Sequence, residues 1–293
     1  MEYLSVAQFA EKSGLSERTV RNYCATGKME GAFLVGKTWN IPSDAVLPKR
    51  MKTKMTPLLT ALREQKESKL KGGIYHRTQV ELTYSSNHIE GSRLTKDQTR
   101  FIFETNTLGF ASKNTNVDDI IETVNHFRCI DFVIDHAQEK ITESHIKQLH
   151  SILKESTSDS RKSWFAVGAY KRFPNEIGFE ETTLPEDVHS RVKTLLAADN
   201  ALKEVKFDDI LDFHVQFERI HPFQDGNGRV GRLLMFWQCL KAGIVPFIIT
   251  ENLRLYYYRG IQNWGKHNAF LRDTCLSAQD DYKALLDYFR IKY

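Results

Sequence analysis

His221-Pro222-Phe223-Gln224-Asp225-Gly226-Asn227-Gly228-Arg229-Val230-Gly231-Arg232 is the stretch whose reading decides the fold. Gly226, Gly228 and Gly231 spell GxGxxG, and Glu251 follows Gly231 by twenty residues at the end of the apolar run from Val245 to Thr250. A dinucleotide-binding crossover asks for an acid at about that distance, but it also asks for an apolar strand leading into the glycines. The lead-in here is Phe207 to Ile220, with Ile210, Phe213, Phe217 and Ile220 at helical spacing and Asp208, Asp209, Asp212, Glu218 and Arg219 between them. A helix enters this loop, so the stretch joins two helices and the dinucleotide reading fails.

Backbone N–H groups at a helix start have no partner within the helix, and the glycines Gly226 and Gly228 leave them open as a phosphate nest. Arg229 and Arg232 are three apart on the following helix and share a face, where both can meet one polyphosphate. Asp225 is a single carboxylate beside the nest, the usual protein contribution to a Mg²⁺ ion that keeps its waters and binds substrate phosphates. His221 opens the loop with the side chain best matched to accepting a hydroxyl proton near neutral pH.

Outward from the loop, residues 57–293 read as strongly helical, with periodic apolar positions near 57–70, 76–90, 95–105, 116–138, 142–155, 185–200, 206–220, 228–242, 252–265 and 278–291. The interruption at about 168–184, where Tyr170, Phe173, Ile177 and Phe179 sit among Gly168, Pro174, Asn175 and Gly178, predicts a short β-hairpin inside a mainly α fold. The formal charge is +4, and residues 1–56 carry all of that excess, with nine basic and five acidic side chains. Within residues 1–48, Val6, Phe9 and Ala10 form one helical stripe, Gly14 marks a turn, and Ser16 can cap a second helix with Val20, Tyr23 and Cys24 inward. Strands at Phe33–Val35 and Thr38–Ile41 around a Gly36-Lys37 turn complete a small wing. A basic linker follows at 49–56. Cys24, Cys129, Cys239 and Cys275 lie far apart without a CxxC pair, which argues for reduced buried thiols rather than zinc or disulfides. No apolar stretch reaches the roughly 18–20 residues of a membrane span, and the N-terminus lacks a leader pattern, so a cytoplasmic protein with no membrane partner is expected.

The twelve residues from His221 to Arg232 match HxFx(D/E)GNGRxxR at every defined position, and on them residues 57–293 resemble the Fic family. Glu122, Asn125 and His126, the segment Ile141–Leu153 and the hairpin after Gly168-Ala169-Tyr170-Lys171-Arg172 extend the likeness. The resemblance implies a protein adenylyltransferase, moving AMP from ATP to a Ser, Thr or Tyr hydroxyl of a target protein. It implies His221 as base, Asp225 as Mg²⁺ ligand and Gly226, Asn227 and Gly228 as the anion nest. Arg229 would then hold the α- and β-phosphates, and Arg232 the γ-phosphate. Gly228 stands where the phosphorylating Doc branch has a lysine, which favours adenylylation. Phe223 is read as a packing residue.

Ser86-Asn87-His88-Ile89-Glu90-Gly91 is similar to the family's inhibitory (S/T)xxxE(G/N) motif on a helix at about 76–91. That likeness implies a Glu90–Arg232 pair that holds the enzyme off, and in some relatives a reverse removal of AMP. The hairpin resembles the flap on which a target segment docks, and Glu176, Glu180 and Glu181 make its tip acidic. Tyr257 and Tyr258 fall where the family places aromatic contacts to adenosine, although position 265 is Gly where an Asn is common. Residues 3–47 resemble winged helix-turn-helix domains of the MerR and excisionase type, which implies DNA contacts from Arg18, Arg21, Asn22 and Lys37. A reader of palindromic DNA implies a homodimer. The alternative to an enzyme is a DNA-binding transcriptional regulator whose Fic core is a low-activity sensor or dimerisation unit.

Overall fold

The structure is a computed structural model that describes residues 2–47, 55–108, 115–177 and 180–293. It divides into two units, Met1–Lys54 and Met55–Tyr293. Most of the basic linker and the flap tip at 178–179 lie outside the described residues.

In the first unit the chain runs β1 (Tyr3–Leu4), α1 (Val6–Ser13), α2 (Glu17–Ala25), β2 (Phe33–Val35) and β3 (Thr38–Pro42). Ser5 and Ser16 cap the two helices by accepting from the Gln8 and Thr19 amides, and Gly14 takes the left-handed turn at φ 67° that closes α1. Val6, Phe9, Ala10, Val20, Cys24, Met29 and Ile41 make the core, with Tyr23 partly buried against it. β2 and β3 pair as expected, with Leu34 opposite Trp39. β1 was not expected: two residues are too short to show alternation, yet Leu4 pairs with Ile41 and adds a third strand on the far side of β3.

The second unit contains α3 (Pro57–Ser68), α4 (Ile74–Ile89), α5 (Lys96–Thr105), α6 (Val117–His136), α7 (Glu143–Lys154), the hairpin β4 (Glu176–Ile177) and β5 (Glu180–Glu181), then α8 (Pro185–Ala201), α9 (Phe207–Ile220), α10 (Asn227–Ala242), α11 (Arg254–Asn263) and α12 (Ala269–Tyr288). α10 is buried on nearly every side, with Val230, Leu233, Leu234, Phe236, Trp237 and Leu240 in the core, as a helix apolar all round must be. It packs against α9, α6, α4 and α7. The first turn of α10 is thereby fixed against four other helices.

All ten expected helices form, with one displaced boundary. α12 starts at Ala269, nine residues before the apolar pattern suggests. Its first turns bury Leu271, Cys275 and Ala278, weakly apolar positions interrupted by Arg272 and Asp273. They pack on α11 at Gly260, where a Cβ would stand 2.6 Å from the Leu271 Cα, so the close approach of the two helices requires glycine there. All four cysteines are free and buried. Among the described residues, no helix is long and apolar enough to cross a membrane.

Candidate active site

The loop between α9 and α10 is held open by its own backbone. His221 caps α9 in the left-handed region, at φ 49° and ψ 62°, and its amide donates to the Phe217 carbonyl at 3.0 Å. Gly226 starts α10 at φ 83°, a conformation that side chains disfavour. Asn227 clasps the loop between them: its Oδ1 accepts from the Phe223 amide and its Nδ2 donates to the Phe223 carbonyl, both at 2.8 Å. The Asn227 side chain is therefore taken up by the loop, which leaves its backbone amide as the part available to the nest. Beneath it the Phe223 ring stacks on His150 at 3.9 Å with 4° between the planes. His150 Nδ1 accepts from the Gly168 amide at 3.0 Å, which leaves Nε2 to donate to the Asp225 carbonyl at 3.2 Å. Burial and the Lys154 charge push His150 down to about 3, so it holds this shape as a neutral ring.

Asp225 presents a half-exposed carboxylate whose Oδ2 accepts from Lys154 Nζ at 2.6 Å and Arg229 Nη2 at 3.2 Å. Burial favours its protonated form, but Arg229 and Lys154 outweigh this and hold it below the usual carboxylate range. Lys154 is 2% exposed and also meets Glu122 at 2.6 Å and Asp159 at 2.9 Å, while Glu122 turns its other oxygen to Arg229. Glu122 thus fixes both cations. Asp225 Oδ1 has no side-chain partner among the described residues, and no cluster of three or more acidic, His or Cys side chains there is arranged as a metal cage. This fits Mg²⁺, which takes one carboxylate oxygen and completes its shell with water and phosphate.

Arg232, one turn along α10, points at α4. Its Nε donates to Ser86 Oγ at 3.0 Å, and Nη2 donates to the Ser86 carbonyl at 3.0 Å and to Glu90 Oε1 at 2.6 Å. Burial alone would raise Glu90, yet Arg232 and Arg229 bring it below its ordinary value. The carboxylate lies over the first turn of α10, where the backbone dipole favours an anion. A Cβ on Gly228 would stand 2.3 Å from Glu90 Oε1 and 3.0 Å from Arg232 Nη1, so only glycine leaves room for this pair.

His221 is partly buried. Desolvation and the Lys171 charge push its imidazole down to about 4, against weaker opposing effects of the Glu218 carbonyl, Glu90 and Asp225. It is therefore neutral at pH 7, the state a base requires. On the other side of Arg232, the buried Glu218 carboxyl is pushed up to about 8 by desolvation, and Arg232 only partly offsets this.

The structure brings His221, Asp225, Gly226, Gly228, Arg229, Arg232, Ser86 and Glu90 together. Tyr257 is 1% exposed, with its hydroxyl 2.6 Å from His214 Nε2 and beside the Arg232 guanidinium. Tyr258 is the exposed member of the pair, at 37%. Lys154, His150, Lys171 and Glu218 were not found as site residues in the sequence. Each lies outside the twelve-residue stretch, and a buried Lys or Glu has no periodicity to announce its partner.

Residues 140–239 match the model of the Fic/DOC family. The chain is 29% identical over 201 residues to Protein adenylyltransferase Fic of Drosophila mojavensis, covering 64% of this chain and 38% of that protein. It is 27% identical over 196 residues to the protein of the same name from Nematostella vectensis, covering 64% of this chain and 44% of the other. The chain thus spans less than half the length of these curated relatives. Among solved structures, a Fic-domain-containing signaling protein from Bacteroides thetaiotaomicron superposes with a TM-score of 0.56 at 24% identity, covering 78% of this chain and 90% of that one. Fic-1 of C. elegans (residues 134–508) superposes at 0.58 with 20% identity, covering 80% and 72%. The helical unit therefore has the Fic fold, and within it residues 140–239, which carry the His221-to-Arg232 loop, match the Fic/DOC family model.

Proposed function

We propose that the chain is a protein adenylyltransferase, transferring AMP from ATP to a hydroxyl of a target protein, and that Glu90 restrains it. The observation that carries this reading is the convergence on one helix start of a neutral imidazole, a half-exposed carboxylate and two arginines. The names of the relatives favour it over a regulator with an idle core.

His221 accepts the proton of the target hydroxyl as its oxygen attacks the α-phosphorus. The bond to the bridging oxygen of the β-phosphate breaks, and pyrophosphate leaves. Arg229 and the α10 amides face the charge that develops, and fixed donors of this kind usually supply most of the stabilisation in phosphoryl and nucleotidyl transfer. Asp225 would hold Mg²⁺, and the ion, when bound, would supply further positive charge to the phosphates. Glu90 stands against Arg232, the cation assigned to the γ-phosphate, so nucleotide and carboxylate compete for one guanidinium. The target segment docks on β4 and β5 as an added strand.

Glu90→Gly removes the competitor. AMP incorporation from labelled ATP into a lysate or into the chain itself is expected to rise at least about tenfold, the equivalent of about 1.4 kcal/mol of released competition. Incorporation that is absent from both the wild-type and Glu90→Gly proteins, with Mg²⁺ present, refutes the activity. Equal incorporation by both refutes the restraint alone.

A second reading concerns residues 1–47 and is independent of the first. Arg18, Arg21 and Asn22 lie exposed on α2, and Lys37 is exposed at the wing turn, the arrangement with which a recognition helix and wing meet a duplex. Arg21 is already engaged by Glu17 at 2.9 Å, so Arg18 and Lys37 carry most of the contact. A gel shift of the full chain on random duplex DNA, falling steeply with salt and weakened by Arg18→Ala with Lys37→Ala, is the expected result. No shift at about 50 mM salt rejects DNA binding, and with it a dimer formed to read a palindrome.

A further inference from the structure

Lys171 is buried, 3% exposed, in the segment leading into the flap. A buried ammonium ordinarily has a carboxylate partner, but the described partners of this one are neutral: Asn175 Oδ1 at 2.7 Å and Thr182 Oγ1 at 2.6 Å. Those two residues flank the hairpin on its two sides, and Thr182 Oγ1 also closes on the Asn175 carbonyl at 2.8 Å. The same segment is tied to the catalytic loop. The Lys171 amide donates to the Pro222 carbonyl at 2.9 Å, and Asn175 Nδ2 donates to the Phe223 carbonyl at 3.1 Å.

A neutral cradle raises the free energy of the ammonium, and desolvation pushes Lys171 down to about 8. The position tolerates this cost beside His221, against whose protonation the Lys171 charge acts. The other groups facing His221 are Glu90, Asp225 and the Glu218 carbonyl, all of which act in the opposite direction. Lys171 is the cation among these named neighbours that opposes them.

We infer that Lys171 is a positioning residue for AMP transfer: its ammonium joins the two flanks of the flap, its amide ties that segment to the loop bearing His221, and its positive charge stands against that imidazole. The inference rests on the proposed activity for its purpose, but its two physical effects can be read without turnover. One network thus holds the docking surface in register with the base and keeps the base free of its proton.

The test uses the full chain. In Lys171→Met, the His221 imidazole, followed by NMR of its Cε1–H group, is expected to titrate about one pH unit higher than in the wild type, the scale of effect of one nearby charge. Hydrogen exchange of the amides across 172–182 is expected to quicken at least about tenfold, as the tie between the two flanks of the hairpin is lost. Thr182→Val keeps the charge and removes one acceptor, so it is expected to quicken exchange while leaving the His221 titration in place. It also serves if the Met variant does not fold. An unshifted His221 titration in a folded Lys171→Met protein, or unchanged flap exchange in Thr182→Val, overturns the inference. Failure of AMP transfer in every variant, with these two signals as expected, would fault the proposed activity and leave the role of Lys171 standing.

Discussion

His221→Ala, placed in the Glu90→Gly protein so that the restraint does not mask the loss, is expected to lower AMP transfer on the order of 10²-fold to 10⁴-fold, the usual contribution of a general base. The substitution leaves the nest intact, because the loop is held by the Asn227 clasp and by the Phe223–His150 stack rather than by the imidazole. Nucleotide affinity should therefore change little while kcat falls. The acid limb gives a second signature. An imidazole with its ordinary value would begin to lose activity below about pH 6.5, but here the limb belongs near pH 4 because desolvation and Lys171 disfavour the charged ring. The same signs make acid destabilising. As the pH falls from the ordinary imidazole value to the folded values of about 4 for His221 and about 3 for His150, the unfolded chain takes up protons that the folded one refuses. Single-turnover assays from about pH 5 to 8 that show a fall centred near 6.5, or an alanine variant within about threefold of its parent, would remove His221 from the role of base.

Lys154→Met is expected to have the largest effect on stability. The ammonium is 2% exposed and meets Glu122, Asp159 and Asp225, so its loss leaves three carboxylates facing an apolar stem. Breaking a buried pair by removing one partner typically costs about 3–5 kcal/mol. In a domain of this size that lowers the melting temperature by roughly 10 °C. Lys66→Met, which removes the partner of the half-exposed Asp135, is the control and is expected to cost about 1 kcal/mol or less. The pH dependence has a definite sign. Asp225 and Asp159 are held below their ordinary values, so their contribution is present above about pH 4 and is lost as the pH falls through the folded values. Lys154→Met should flatten this acid limb. Urea denaturation at pH 7 giving a cost below about 1 kcal/mol would mean that the three carboxylates find other partners or water without strain.

What could be read before the fold was known follows from how local each signal is. The α9–loop–α10 unit is one contiguous segment whose helical period, left-handed cap and glycines are fixed by neighbours within about four residues. Its reading as a loop between two helices therefore agrees with the structure. The start of α12 was missed although Leu271, Cys275, Ala278 and Tyr282 continue one helical stripe, because small and polar residues dilute its first turns. Tyr257 and Tyr258 look equivalent in the chain. The packing of α11 buries one against His214 and exposes the other, a distinction that belongs to the helix interface alone.

The sequence by itself determined the helical class, the placement of His221, Asp225, Arg229 and Arg232 around one helix start, and the candidate partner in Glu90. The first two depend on bonds and spacings along a few turns of chain, whereas Glu90 as a partner rested on the likeness of Ser86–Gly91 to a family motif. Only the tertiary structure decided the electrostatic state of those groups. Lys154 reaches Asp225 across 71 residues, and Arg232 reaches Glu90 across 142. Lys171 and Glu218 acquire their perturbed ionisation from burial that no local pattern encodes. Charge and desolvation act through space, so the loop and its charged groups were legible in the chain, but their ionisation and the Arg232–Glu90 contact required the packed fold.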